Sequence, residues 1–389
     1  MLEDTVVPTL RELALVFLRL GATAFGGPAA HIALMEDEFV RRRRWLTRAE
    51  FLDLIAATNL IPGPNSTEMA IHIGLRAGWC GFLIAGVCFI LPAALLVGFL
   101  AWVYVRFETL PQVAGILYGV KPVIIAVVLQ ALWRLGRDSL KSAWLAVLAV
   151  LAVILNVLGV NELLILLAGG VCAVAVHRLS QARQTGTPPP PAACLGWFSF
   201  PLAAAVPPAV VAPFSLGALF LVFFKTGAVL FGSGYVLLAF LRADLVERLQ
   251  WLKEQQLLDA VAVGQVTPGP VFTTATFIGY LLGGPAGAAV ATVGIFLPAF
   301  FFVAISGPLI PRLRRSPTAG AVLDGVVVAS LALMAVVTWE LGKAALVDLP
   351  TIALALISAV LLLRFKVNAT WLVLAGAFTG WLVFFLRAL

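Results

Sequence analysis

At an offset of 206 residues the chain repeats itself: Arg19-Leu20-Gly21-Ala22-Thr23-Ala24-Phe25-Gly26 returns as Lys225-Thr226-Gly227-Ala228-Val229-Leu230-Phe231-Gly232. The same offset carries Trp45-Leu46 onto Trp251-Leu252, Asp53 onto Asp259, Pro62-Gly63-Pro64 onto Pro268-Gly269-Pro270, and Leu91-Pro92 onto Leu297-Pro298. A duplicated half must fold as two similar units, which constrains the architecture more than any single motif does. Both copies are apolar and are broken at matched places. That is the pattern of a secondary transporter whose site lies where the halves meet.

Only 12% of the residues are charged and 62% are hydrophobic, which places the chain in a lipid bilayer rather than in water. Apolar runs recur near 13–35, 79–105, 111–133, 143–158, 161–177, 214–241, 286–310, 319–339, 349–363 and 368–387. Most approach the ~20 residues that a spanning helix needs. Two more runs, near 51–75 and 257–282, are interrupted. The first run carries the repeat's own arginine, so it is expected to be a span and not a cleaved leader.

The net charge of +7 does not imply nucleic acid, because Arg41 to Arg44 and Arg312 to Arg315 sit in short loops between apolar runs, where arginines set orientation. Cys80, Cys88, Cys172 and Cys194 have no paired spacing, so neither a disulfide framework nor a zinc site is indicated. Glu68 and His72 share a helix face but lack a third ligand, so no metal is expected. No GxxxxGK[ST] phosphate loop occurs, and no nucleophile and base stand together, so neither ATP-driven pumping nor an enzyme is indicated and no cofactor is expected.

The expected division is a first repeat over 1–180, a linker over 181–213 holding Pro188 to Pro191, and a second repeat over 214–389. The fold expected is all-α and membrane-integral, with about ten crossings. If each interrupted run enters and leaves on one side as a re-entrant pair, each half crosses five times and the second half is inverted. The basic loops at 41–48, 134–141, 178–183, 312–315 and 364–366 then share one side. The oligomeric state is left open, a homodimer included.

Arg19 lies about 12 Å along its apolar run and Lys225 about 16 Å, at 1.5 Å per residue, near the middle of a ~30 Å core. A basic group there costs roughly 2.5–3.5 kcal/mol, and the chain carries that cost twice at matched positions. An anionic substrate explains this, and so does an internal ion pair with Asp53, Asp259 or Asp324. Each Pro-Gly-Pro halts a helix and starts another, presenting free N–H groups and a partial positive charge to an anion. Asn59, Pro62, Gly63, Pro64, Asn65, Ser66 and Thr67 frame the first such site, and Gln265, Pro268, Gly269, Pro270 and Thr273 the second. Glu68 either balances the helix dipole or accepts a proton coupled to transport, and Asp53 and Asp324 are further candidates for coupling.

Gly26-Gly27-Pro28 followed by His31, the run Arg43-Arg44-Trp45-Leu46, Asn59 through Glu68, and Phe89-Ile90-Leu91-Pro92 together resemble the chromate ion transporter family in its long, two-domain form. The resemblance covers essentially the whole chain. It implies a multi-pass inner-membrane protein with two halves of opposite orientation that moves chromate out of the cell, confers chromate resistance and also recognises sulfate. The family's functional positions map onto Arg19, Gly26, Gly27, Arg43, Arg44, Pro62, Gly63 and Pro64. The second half has Val271-Phe272 where the first has Asn65-Ser66, which implies that the first half supplies more of the polar contacts. An uptake carrier for sulfate or another oxyanion, coupled to protons or sodium, is the other reading.

Overall fold

The computed structural model describes residues 8–25, 27–107, 111–185, 213–231, 236–314, 317–365 and 367–388. Most of the expected linker, Gly26 and the segment 232–235 therefore lie outside the described residues. Among those described, the protein is all-α. The first half comprises α1 (Leu10–Thr23), α2 (Gly27–Glu36) running into a π-helix (Asp37–Arg42), α3 (Arg48–Thr58), α4 (Asn65–Leu75), α5 (Gly78–Phe107), α6 (Pro111–Ser139), α7 (Ala143–Val157) and α8 (Glu162–Thr185). The second comprises α9 (Leu216–Val229), α10 (Leu237–Leu241) running into a π-helix (Arg242–Arg248), α11 (Glu254–Val266), α12 (Thr274–Arg314), α13 (Pro317–Ala345), α14 (Leu349–Phe365) and α15 (Ala369–Ala388).

Five of these helical stretches, 78–107, 115–139, 162–181, 271–306 and 320–345, are long and apolar enough to cross a membrane, and shorter apolar helices accompany them. The protein is an integral membrane protein. The two apolar runs at 13–35 and 214–241 are each broken, after Thr23 and after Val229.

Local sequence explains the boundaries. Thr9 caps α1 in a reciprocal box with Glu12, whose carboxyl Thr9's hydrogen bonds hold below its ordinary pKa. Thr47 and Glu50 do the same for α3. Both π-helices end on a left-handed non-glycine residue, Arg44 and its mate Gln250, each with φ of 54°. Past these turns Trp45 is buried and stacks on Phe39, which packs against Phe17 with ring centroids 5.2 Å apart. Gly283 and Gly284 kink α12, so its first turns match α4 and the remainder matches α5. Gly284 and its mate Gly78 both have positive φ, which a glycine adopts without strain.

The halves do not sit side by side as closed units. α1 packs on α5 and α9 on α12, within their own halves. By contrast, α14 and α15 pack on α6 of the first half, and α7 and α8 pack on α13 of the second. Glycines permit this exchange: a Cβ on Gly115 would come within 2.7 Å of Phe384, and Gly119 and Gly325 meet the carbonyls of Gly376 and Gly169. Small residues spaced four apart, as in Gly115/Gly119 and Gly376/Gly380, are how helices approach closely where lipid supplies no hydrophobic drive.

Candidate anion site at the crossing of the halves

Each Pro-Gly-Pro segment stops one helix and starts another. α3 ends at Thr58 and α4 begins at Asn65, directly after its cap Pro64. In the second half α11 ends at Val266, and a single 3-10 turn over Val271–Thr273 follows Pro270. Gly63 and Gly269 have φ of 136° and 90°, in the region that excludes most side chains.

The loops are tied across the halves. Gly63 donates its N–H to the Leu230 carbonyl at 2.8 Å, and Gly269 donates to the Ala24 carbonyl at 2.9 Å. Ala24 and Leu230 are the residues at which α1 and α9 break off. So the carbonyl exposed by each first-helix break is satisfied by the opposite half's Pro-Gly-Pro loop, a reciprocal contact related by the 206-residue offset. His31 adds its Nε2–H to the Ala24 carbonyl at 3.0 Å and stands edge-on to Phe89, so in this structure it supports the break.

At the start of α4, the N–H groups of Thr67 and Glu68 donate to the Pro64 carbonyl, and that of Ser66 precedes the helix ladder. Asn65 Nδ2 donates to Asn59 Oδ1 at 2.7 Å, so the two ends of the loop hold each other. Ser66, Thr67 and Glu68 are all buried. Thr67 Oγ1 and both carboxyl oxygens of Glu68 find no hydrogen-bond partner among the described residues, and the Glu68 carboxyl folds back onto Gly63. In the second loop Thr273 Oγ1 donates to the Pro270 carbonyl and is thereby occupied, and Pro268 and Pro270 are buried with Gln265 beside them. The polar content is concentrated in the first half, in line with the replacement of Asn65-Ser66 by Val271-Phe272.

The two basic residues lie on the helices whose ends these loops cap. Arg19 precedes Ala24 by five residues and Lys225 precedes Leu230 by five, about 7.5 Å along a helix axis in each case. Each basic residue therefore lies a little over one helical turn before the carbonyl that the opposite half's loop caps. Both are also ion-paired: Arg19 Nη2 meets Glu38 Oε2 at 2.6 Å, and Lys225 meets Asp244. Glu38 and Asp244 are mates at the repeat offset, and both are buried. Each carboxylate has a second cation, Arg43 Nε on Glu38 at 2.7 Å and Arg248 on Asp244 at 2.9 Å.

The carboxylates that meet the two basic residues are thus Glu38 and Asp244, which the sequence reading missed. Asp259 instead pairs with Lys121 at 3.1 Å and accepts from Tyr104 Oη at 2.9 Å. Asp324 pairs with Lys141 at 3.4 Å, away from both loops, and Asp53 is exposed on α3. The missed signal was in the sequence, since the offset that aligns Arg19 with Lys225 also aligns an acidic residue with an acidic residue at 38 and 244. Lys225's side chain is 30% exposed and Arg19's 52%, so neither is locked in place by burial.

Comparison with known proteins identifies the lineage. The family model described as chromate transporter matches residues 11–174 and again 217–381. A chromate transport protein of Cupriavidus metallidurans is 34% identical over 382 residues, covering 95% of this chain and 92% of that protein. One from Pseudomonas aeruginosa is also 34% identical, over 95% and 91%, and a probable chromate transport protein of Synechococcus elongatus is 32% identical, over 90% and 89%. No solved structure matches the chain. Matched in both halves by the family model and over nearly its whole length by these relatives, the chain belongs to the chromate transporter family.

Proposed function

We propose that the protein is a secondary transporter that exports chromate, a tetrahedral oxyanion, across the cytoplasmic membrane and so confers resistance to it. Sulfate, of the same shape and charge, is the competing substrate. The observation that carries this reading is the matched placement of Arg19 and Lys225 on the helices whose ends the crossing loops cap, each sharing its carboxylate with a second cation. Either one can turn to a substrate without leaving a buried carboxylate unpaired. The oxyanion's oxygens then take N–H groups at the start of α4 and beyond Pro270, with Ser66 and Thr67 at the first loop. Asn59, Asn65, Gln265 and Thr273 shape the loops, and Gly27 and His31 shape the first-helix break.

Pairs that join distant loops support one arrangement in the membrane. Tyr118 at the start of α6 donates to Asp348 ahead of α14 at 2.6 Å, and Lys141 after α6 meets Asp324 near the start of α13. Each pair lies on one face only if each half crosses five times; with six crossings the partners fall on opposite faces. These contacts support ten crossings, repeats over 1–180 and 214–389, and an inverted second half. Cysteines placed in the 41–48 loop and in its mate at 247–254 are expected to react with impermeant maleimide from opposite sides. Reaction of both from one side rejects the inversion.

Expelling a dianion through an interior-negative potential gains about 4.6 kcal/mol per 100 mV, so export needs no coupled ion. A second reading, proton-coupled sulfate uptake, draws on Glu68, whose buried oxygens have no hydrogen-bond partner among the described residues; Asp53 and Asp324 are weaker candidates for that coupling because both are exposed or paired at the surface. Labelled chromate and sulfate fluxes in oriented vesicles separate the two. Export predicts chromate movement driven by the potential alone, whereas movement that requires a proton gradient favours uptake.

A further inference from the structure

A cavity of about 530 Å³ opens between the α7–α8 turn, the π-helix Arg242–Arg248 and the last turns of α13. With five crossings per half, these three segments lie on one face, opposite the arginine-bearing loop 41–48. Loops rich in arginine are retained on the cytoplasmic side, so the cavity faces outward. Its floor reaches Asp244, the carboxylate that holds Lys225. It is thus a route from the outer face to the second-half cation of the proposed anion site.

The charges lining this cavity are unlike those at the repeat-matched positions. Among the lining residues Glu162, Asp244, Glu247 and Glu340 outnumber Arg242 and Arg248, while Lys225 and Lys343 pair with Asp244 and Glu340 from outside the lining. Glu247 stands where the first half has Arg41, Glu340 where it has Arg134, and Glu162 where the second half has Asn368. The exchanges in the other sense, Arg242 for Glu36 and Ala243 for Asp37, are fewer. The duplication has therefore left repeat-matched positions that differ in electrostatic bias, more acidic around this cavity and more basic at their mates.

We infer that this cavity is the extracytoplasmic mouth of the substrate path, and that its acidic rim of Glu162, Glu247 and Glu340 opposes re-capture of the released oxyanion. This rests on the export reading and adds a direction to it. A negative mouth lowers the local concentration of a dianion and slows its encounter from that side, while the basic loop raises both on the other. The rim does not alter the final gradient, which the potential sets. It makes the KM for chromate higher from outside than from inside, and the difference shrinks as salt screens the rim.

The test uses Glu162→Gln with Glu340→Gln, neither of which is an ion-pair partner of Arg19 or Lys225 or part of the loops. In oriented vesicles at ~10 mM salt the outside KM for chromate is expected to fall several-fold, and at ~0.5 M salt to match the parent, since the Debye length contracts from about 30 Å to a few ångströms. The inside KM and the equilibrium gradient should be unchanged. An unchanged outside KM at low salt, or equal change on both sides, overturns the inference. A second arm needs no substrate: Val160→Cys, at the cavity wall, in a background lacking the other cysteines. It should react from outside, faster with a cationic than with an anionic methanethiosulfonate, and the double Gln variant should shrink that preference. Reaction only from inside, or no charge preference, overturns it. If vesicles move neither chromate nor sulfate while Cys labelling keeps its outward, cation-favouring pattern, the transport reading has failed and the mouth stands.

Discussion

In Gly63→Leu, chromate flux is expected to fall by at least about a hundredfold while folded protein still reaches the membrane, because a small misplacement at a binding loop costs that much. Gly63 has φ of 136°, where a leucine is strained by roughly 1–3 kcal/mol. Its Cβ would collide with Glu68 Oε1 and come within 3.7 Å of Ala299. The colliding atom is the end of a side chain, so the fold gives locally and survives. What moves is the loop that carries the N–H bonded to Leu230 and sets the start of α4. The mate gives the contrast: a Cβ on Gly269 would lie 2.6 Å from Ala93 and 2.9 Å from the Gly21 carbonyl, rigid neighbours on the other half. Gly269→Leu should therefore lose folded protein as well as flux. Parallel measurement of detergent-solubilised monodisperse protein and vesicle flux tests both; normal transport by Gly63→Leu would reduce the break to a plain kink.

Arg19→Gln is expected to weaken chromate binding by about 1.5–3 kcal/mol, the value of a charge-assisted hydrogen bond, which is roughly ten- to a hundredfold. Expression should hold, because Glu38 keeps Arg43 at 2.7 Å. Lysine at 19 should rescue in part, restoring charge without the planar fork of donors. In the double variant Arg19→Gln, Arg43→Gln the buried Glu38 loses both cations, and folding stability is expected to drop by about 3–5 kcal/mol. If the single variant loses expression as steeply as the double, Arg19 is structural and the anion site must be sought elsewhere.

Much of this was legible in the chain because lipid leaves few choices: apolar runs must become helices, and Pro-Gly-Pro must interrupt them. The positions of α5, α6, α8, α12 and α13 followed from apolar length, and the two helix starts after Pro64 and Pro270 from proline chemistry. The ion pairs were not legible in the same way. Glu38 and Asp244 lie in π-helices beside basic residues, where a charge reads as part of a loop, and only the packed turn ending at Arg44 and Gln250 turns them inward. Nor did hydropathy reveal that α14 and α15 cover α6, because an apolar helix does not encode which neighbour it will have.

The crossing of the halves sets a timetable for biosynthesis. Gly63 must wait for the Leu230 carbonyl, and Ala24 for the Gly269 N–H, before these backbone groups are satisfied. At 5–20 residues per second the roughly 170 residues between Gly63 and Leu230 take about 8–35 s to make. Through that interval the nascent first half sits in the bilayer with α6 uncovered and polar backbone unfilled, a state that lipid penalises. The newborn chain is therefore most exposed to quality-control proteases before its second half emerges, and substitutions that slow the arrival of α9 and α11 should lower yield without weakening the finished protein.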